Sequence, residues 1–400
     1  MRTARATPIG SAPARLMRRI RRLPSSRSVK AITYRAVLMR LPMRRGSAVF
    51  ESGLGRAFTD SPKYLYLALR ASGDRRRVVW SYLDDPNGFP SDAVLVRRGS
   101  WRYLLELARA EFWVDDQGFP AIARRRRATT YLQTWHGSAY KTMGFDQPEL
   151  RDAGHDRRQA FAAAVGRWTH LCVQSETAEQ TFAAAFRHKA QVLRTGYPRN
   201  DPLLAPDVQS RKAEHRRSLG LPTDRLVVLY APTFRDWDRG ADGTARLDLA
   251  RIAADIGERC LILVRAHYLD RPAETDAFPE IARDVSTHAD VTELLLAADA
   301  LITDYSSVMF DFALLRRPML FYAPDLEVYN RRRGSYFDLQ VVAPGPVVQD
   351  MDEVVGWLRQ PQAAHDSYSE RYDAFVRRFC GFEHGDAAER VRHSVFGTAR

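Results

Sequence analysis

Short apolar runs alternate along this chain with stretches whose apolar positions recur every three or four residues. Val78–Leu83, Ala93–Val96, Glu111–Val114, Thr130–Thr134, Leu171–Gln174 and Gln191–Arg194 read as strands. Ser61–Leu69, Trp101–Ala110, Arg157–Arg167 and Glu176–Phe186 carry helical spacing. This rhythm predicts a mostly parallel sheet covered by helices. A polar, proline-containing stretch from Tyr197 to Pro206 breaks it. A second series opens at Leu226–Tyr230 and runs through Cys260–Val264, Ala300–Thr303 and Met319–Tyr322, with helices at Leu247–Glu258, Val291–Ala298 and Ser307–Leu315. Residues Gln362 to Arg400 read as helical. The expected class is α/β: two Rossmann-like, doubly wound domains with a cleft between them, because such sheets bind ligands beyond the carboxyl ends of their strands. The expected divisions are a tail over 1–45, a first domain over 46–205, a second over 206–361 and a helical end over 362–400.

Charge changes the picture once it is located. The chain has 400 residues, 61 Lys and Arg against 48 Asp and Glu, and a formal net charge of +13. Residues 1–45 hold twelve Arg, one Lys and no acid, so the remainder is formally neutral. Leu16, Ile20 and Leu23 share a helical face among Arg15, Arg18, Arg19 and Arg22, and Val29, Ile32, Ala36, Val37 and Leu41 repeat the spacing. A basic amphipathic segment of this kind lies on an anionic membrane surface, each Arg contributing about 1 kcal/mol. A solvated arm, a nucleic-acid arm or a transit peptide shares the composition. The neutral remainder, with no basic stripe, argues against nucleic acid. No apolar run reaches the ~18 residues of a membrane span. Cys172, Cys260 and Cys380 lie far apart and read as reduced, buried thiols. HExxH, P-loop, CxxC and GxGxxG patterns are absent, and no metal or cofactor is expected.

Candidate chemistry sits where predicted strands end. Thr303-Asp304-Tyr305-Ser306-Ser307 follows a strand and opens a helix, an arrangement that offers backbone N–H groups and hydroxyls to phosphate. Serine capping explains one such residue, not four polar residues in a row. Arg265 and His267 follow the Leu261–Val264 run two residues apart, so both face one way at the same sheet edge. Thr233 and Arg235, in Ala231-Pro232-Thr233-Phe234-Arg235-Asp236, follow the first strand of the second series, and Arg presents a planar fork to phosphate. In the first series, Thr134-Trp135-His136-Gly137-Ser138 precedes Lys141, and His136 can take a proton near neutral pH. Asp84, Asp85, Asp115 and Asp116 read as strand-end loops.

Taken together, these blocks resemble the CDP-glycerol glycerophosphotransferases of teichoic acid synthesis. The resemblance runs from about Phe50 to Val355. It rests on Gln133–Gly137, Gly196-Tyr197-Pro198-Arg199-Asn200-Asp201, Tyr230–Asp236, Ala298–Val308 with Phe310-Asp311-Phe312-Ala313, Arg333-Gly334-Ser335-Tyr336-Phe337-Asp338 and Pro344-Gly345-Pro346. It implies a GT-B fold, His136 as catalytic base with His267 as a second catalytic residue, and a second domain holding CDP-glycerol or CDP-ribitol. Thr233, Arg235, Arg265, His267, Thr303, Asp304, Ser306, Ser307 and Asp311 fall on donor-site positions. It further implies a lipid-linked glycan acceptor and a peripheral enzyme on the cytoplasmic face of a bacterial membrane. Ser138-Ala139-Tyr140-Lys141 departs from the family's usual Thr-Pro-Leu-Lys, and Ser335 replaces a usual aromatic residue. A sugar-nucleotide glycosyltransferase or epimerase of the same fold, and a basic-armed nucleic-acid-binding protein, are the alternatives.

Overall fold

The computed structural model describes residues 26–235, 247–266 and 275–397. The first lobe is built on β1 (Arg44–Glu51), β2 (Arg77–Tyr82), β3 (Val94–Arg97), β4 (Ala110–Asp115), β5 (Thr130–Gln133), β6 (His170–Cys172) and β7 (Gln191–Leu193). They form one parallel sheet in the order β3-β2-β1-β4-β5-β6-β7. The second lobe uses β8 (Leu226–Ala231), β9 (Cys260–Val264), β10 (Ala282–Asp284), β11 (Ala300–Thr303), β12 (Met319–Tyr322) and β13 (Val347–Val348). Their order is β10-β9-β8-β11-β12-β13, again all parallel. Both sheets are doubly wound, and the strand order reverses between β1 and β4 and between β8 and β11. A crevice opens at such switch points.

Each sheet is buried on both faces, which is why its strands read as continuous apolar runs. Alternate residues serve opposite cores. In the first lobe Val49, Val79, Trp113 and Tyr131 face one core, and Phe50, Trp80, Val114 and Leu132 face the other. In the second, Leu229, Leu263, Leu301 and Phe321 oppose Val228, Ile262, Ile302 and Leu320.

Strand β1, an interior strand of the first sheet, was not expected. Its opening Arg44-Arg45-Gly46 disguises the apolar end, Ala48-Val49-Phe50. The edge strands β10 and β13 are too short to leave a pattern. The expected boundary at 45/46 falls inside β1. Ahead of it, the helix Arg27–Ala36 is docked on the first lobe: Tyr34 and Leu38 are fully buried, and the Tyr34 hydroxyl donates to the Arg124 carbonyl at 3.1 Å. Residues 1–25 of the basic tail lie outside the described residues. The stretch after β7 is no solvated linker. Pro198–Leu203 forms tight 3-10 turns with Arg199 and Asn200 buried.

The helical end is shared between lobes. Ser369–Phe379 packs Phe375 and Phe379 on Phe310 of the second lobe, at 5.5 and 5.3 Å between ring centroids. Ala387–Phe396 returns to the first, where Phe396 lies 4.8 Å from Phe112 and stacks on Phe50 at 6.3 Å. No described helix is long and apolar enough to cross a membrane.

Candidate active site

The carboxyl ends of β4 and β5 form the first wall of the crevice. After β5 the backbone turns sharply at Trp135, whose φ of 57° is left-handed and strained for a bulky residue. Two contacts hold it there: Gln133 Oε1 accepts the Trp135 N–H at 2.8 Å, and the indole packs on Phe182 and Phe186. Its other side stacks on the His136 ring at 4.5 Å. His136 Nδ1 lies 2.8 Å from the Asp116 carbonyl oxygen. A carbonyl only accepts, so Nδ1 carries the proton and Nε2 keeps the lone pair. His136 is recessed among the crevice walls, yet its ring stays open to solvent. Burial among those walls holds its pKa below 6.5, helped by Arg199 and Lys141 and opposed by the Asp116 carbonyl and the Asp60 charge. The ring is therefore neutral at pH 7, as a general base must be.

Beneath it lie carboxylates whose role the sequence did not reveal. Asp115 and Asp116 are buried. Burial and the Glu51 charge push Asp115 up to about 7, and burial with the Asp60 and Asp115 charges pushes Asp116 well above the usual carboxylate range. Asp116 accepts the Gly53 N–H at 3.0 and 3.1 Å, which ties the turn after β1 to the end of β4.

The second wall is made by the ends of β8, β9 and β11. Ser306 and Ser307 are half-buried at the start of the short helix Val308–Phe312. Gly137 lies directly against Ser307: a Cβ on Gly137 would sit 2.8 Å from Ser307 Oγ and 3.1 Å from Arg199 Nη2. With φ at 131°, only glycine suits this position. The base loop and the serine turn thus meet across the crevice.

Several expected donor contacts are spoken for by the protein itself. Arg235 is buried, forms a fork–fork pair with Asp325 at 3.0 and 2.9 Å, and pairs with Asp304. Asp304 also accepts the Thr233 N–H at 2.8 Å. Burial works against Asp325, but the Arg235 guanidinium holds it below the usual carboxylate range. The guanidinium lies over Tyr305 and Tyr329, 4.9 and 5.4 Å from their centroids. Arg235 and Asp304 therefore brace the strand-end loop. Thr303 is fully buried and donates to the Ala231 carbonyl at 2.8 Å. Asp311 is likewise internal, bound by Arg199 at 2.8 and 3.1 Å and by Asn200 at 3.1 Å. Each was a reasonable phosphate-site residue from sequence, but strand-end polarity does not distinguish a ligand contact from an internal brace. Thr233 is half-buried, and its buried hydroxyl has no hydrogen-bond partner among the described residues. Arg265 is half-buried, and its hydrogen bonds go to carbonyls, the His288 oxygen at 2.7 Å among them. His267 lies outside the described residues.

Arg199 is the hub that sequence reading passed over as part of a rigid turn. It is buried, and it bridges Asp311 of the second lobe to Asp60 of the first, the latter at 3.1 Å to both oxygens. Asp311 and Asp60 hold Arg199 firmly charged against its burial. Asn200 donates to Asp311 and to Glu383, the second bond at 2.8 Å. Glu383 also accepts the Tyr197 N–H at 3.1 Å, and burial pushes its carboxyl up to about 8. A second bridge joins Lys63 of the first lobe to Asp290 and Glu293 of the second, at 2.6 and 3.0 Å. Among the described residues, no group of three or more His, Cys, Asp and Glu could hold a metal ion.

Two facing doubly wound lobes, with a neutral imidazole on one wall and a hydroxyl-bearing strand-to-helix turn on the other, define an enzyme of the GT-B type. Residues 32–397 match the family of CDP-Glycerol:Poly(glycerophosphate) glycerophosphotransferases, and the chain belongs to it. It is 33% identical to the teichoic acid poly(glycerol phosphate) polymerase of Bacillus spizizenii, over 92% of this chain and 96% of that one. It is 32% identical to the teichoic acid glycerol-phosphate transferase of Staphylococcus aureus, over 90% and 95%. The polymerase of Bacillus subtilis is 33% identical over 96% of this chain, which spans about half (53%) of that longer relative. Identity to the ribitol-phosphate primase of Bacillus spizizenii is 26% over 92% of this chain. The solved structure of the wall teichoic acid polymerase TagF soaked with CDPG superposes with a TM-score of 0.87 at 31% identity, covering 96% of each chain.

Proposed function

We propose that this chain transfers glycerol phosphate from CDP-glycerol to a hydroxyl of a lipid-linked envelope glycan and releases CMP. The observation that carries this reading is the contact of Gly137 with Ser307, which sets the His136 loop against the serine turn. His136 Nε2 takes the acceptor hydroxyl proton as that oxygen attacks the phosphorus bearing the glycerol. The P–O bond to CMP breaks on the opposite side, and CMP leaves with the electron pair. Positioning and charge stabilisation supply most of such catalysis. Ser306, Ser307 and Arg265 serve the diphosphate, while Arg235 and Asp304 hold the loop that frames it. No metal enters this scheme. Glycerol is favoured over ribitol by the higher identity to glycerol-phosphate enzymes over nearly the whole chain.

The enzyme works at an anionic membrane surface. In support, the helix Arg27–Ala36 leaves Ile32 66% exposed and Val37, just beyond it, 42% exposed beside Arg35 and Arg40, while Tyr34 fixes it to the lobe. Such a face suits the headgroup boundary.

Thermal shift and CMP release across CDP-glycerol, CDP-ribitol and UDP-N-acetylglucosamine test the reading. CDP-glycerol should stabilise the protein and turn over; a response confined to the UDP-sugar would overturn it. Flotation with anionic vesicles should weaken in Ile32→Asp and Val37→Asp.

A further inference from the structure

Tyr140 belongs by sequence to the first lobe, four residues after His136, yet it is 1% exposed within the core of the second. Its ring stacks on Tyr305 at 5.7 Å and 18°, and meets Phe337 edge-on at 5.1 Å. Its hydroxyl donates to Asn330 Oδ1 at 2.7 Å. Tyr305 in turn stacks on Tyr329 at 3.8 Å and immediately precedes Ser306. The backbone around Tyr140 is also fastened across the crevice. Its carbonyl accepts the Tyr336 N–H at 2.8 Å, Lys141 pairs antiparallel with Ser335, and Thr142 N–H donates to the Gly334 carbonyl at 3.3 Å. Tyr336 returns the contact, its hydroxyl accepting from Met143 N–H at 3.1 Å and donating to Asp146 at 2.9 Å. Gly334, with φ at 69°, lies so close to Thr142 that a Cβ would come within 2.9 Å of it.

We infer that Tyr140 is a positioning residue, the anchor of an inter-lobe strap over residues 140–146 that sets the spacing between His136 and the Ser306–Ser307 turn. The strap ties the base to the donor turn through a short path: four residues from His136 to Tyr140, one non-covalent ring stack, and one residue from Tyr305 to Ser306. A donor site wholly within the second lobe does not need it, but in-line attack does, because a ~1 Å misplacement reduces rate on the order of 10²-fold. The inference rests on the proposed transfer reaction only for its kinetic consequence.

The test compares Tyr140→Ala, Tyr140→Leu and Tyr140→Phe in the full chain. For CMP release from CDP-glycerol, kcat should fall at least about tenfold in the Ala and Leu variants, with the donor Kd from calorimetry unchanged within about threefold. Tyr140→Phe keeps the stack and should restore most of the rate. Independently of turnover, spin labels at Arg102→Cys and Glu258→Cys report the inter-lobe distance. Both positions are exposed, one on each lobe, and the three native cysteines are buried. The distribution should broaden in Tyr140→Ala and, should that variant fold poorly, in Tyr140→Leu. A narrow, unchanged distribution in both overturns the strap whatever the rates do. If CDP-glycerol is not a substrate of the wild type, the proposed function fails while the distance measurement still decides the strap.

Discussion

The two walls of the crevice both hold buried carboxyl groups, and each accommodates them by a different device. Under His136, Asp115 and Asp116 are buried and form no ion pair among the described residues, so burial raises their pKa and favours the neutral acid. In the second lobe Asp304, Asp311 and Asp325 are each paired with an arginine, Arg235 or Arg199. On the proposed reading, the difference suits the task of each wall. A base must stay neutral near pH 7, and a fully ionised acid cluster beside it would favour the imidazolium. A diphosphate site cannot tolerate bare carboxylates, and pairing them with arginine removes the repulsion while bracing the loops.

The largest expected effect lies on the first wall. His136→Ala should reduce CMP release about 10²–10⁴-fold with donor affinity retained, and the acidic limb of the wild-type kcat profile should fall below pH 6.5, since burial lowers this pKa. On the second wall, Arg199→Met strands the buried Asp311 and should destabilise the fold by about 3–5 kcal/mol in denaturant melts. Ser306→Ala and Ser307→Ala should each raise the donor KM by about tenfold, the scale of a hydrogen bond to a charged group. A test on stability against pH sharpens the contrast between the two devices. Glu383 stays protonated in the fold while the unfolded chain loses its proton near 4.5. Its contribution to stability is thus greatest at low pH and is lost as pH rises towards about 8. In Glu383→Gln the slope of stability against pH over that window should become shallower by about 1.4 kcal/mol per unit.

The sheets were legible because strands buried on both faces leave unbroken apolar runs, as in Cys260–Val264 and Met319–Tyr322. The place of His136 and Gly137 at the sheet edge was legible too, because a histidine and a glycine after an apolar run stand out. The internal partners of Arg235, Asp304, Thr303 and Asp311 were hidden for a physical reason: a polar residue at a strand end looks the same whether it faces a ligand or another side chain. Arg199, Asp60 and Tyr140 were not read as functional, because Arg199 lies 139 positions from Asp60 and 112 from Asp311, and Tyr140 lies 190 from Asn330, along the chain and across the lobes. The left-handed Asp60 and Trp135 and the glycines at 137 and 334 mark those meeting points, and a sequence does not print φ.

The return of Ala387–Phe396 to the opposite lobe makes the molecule topologically interleaved. Splitting the gene near residue 205 would deprive the amino-terminal half of the aromatic lid that covers Phe50 and Phe112. A chimera that exchanges donor modules between relatives would have to carry the final helix with its original recipient, or redesign the surface it seals.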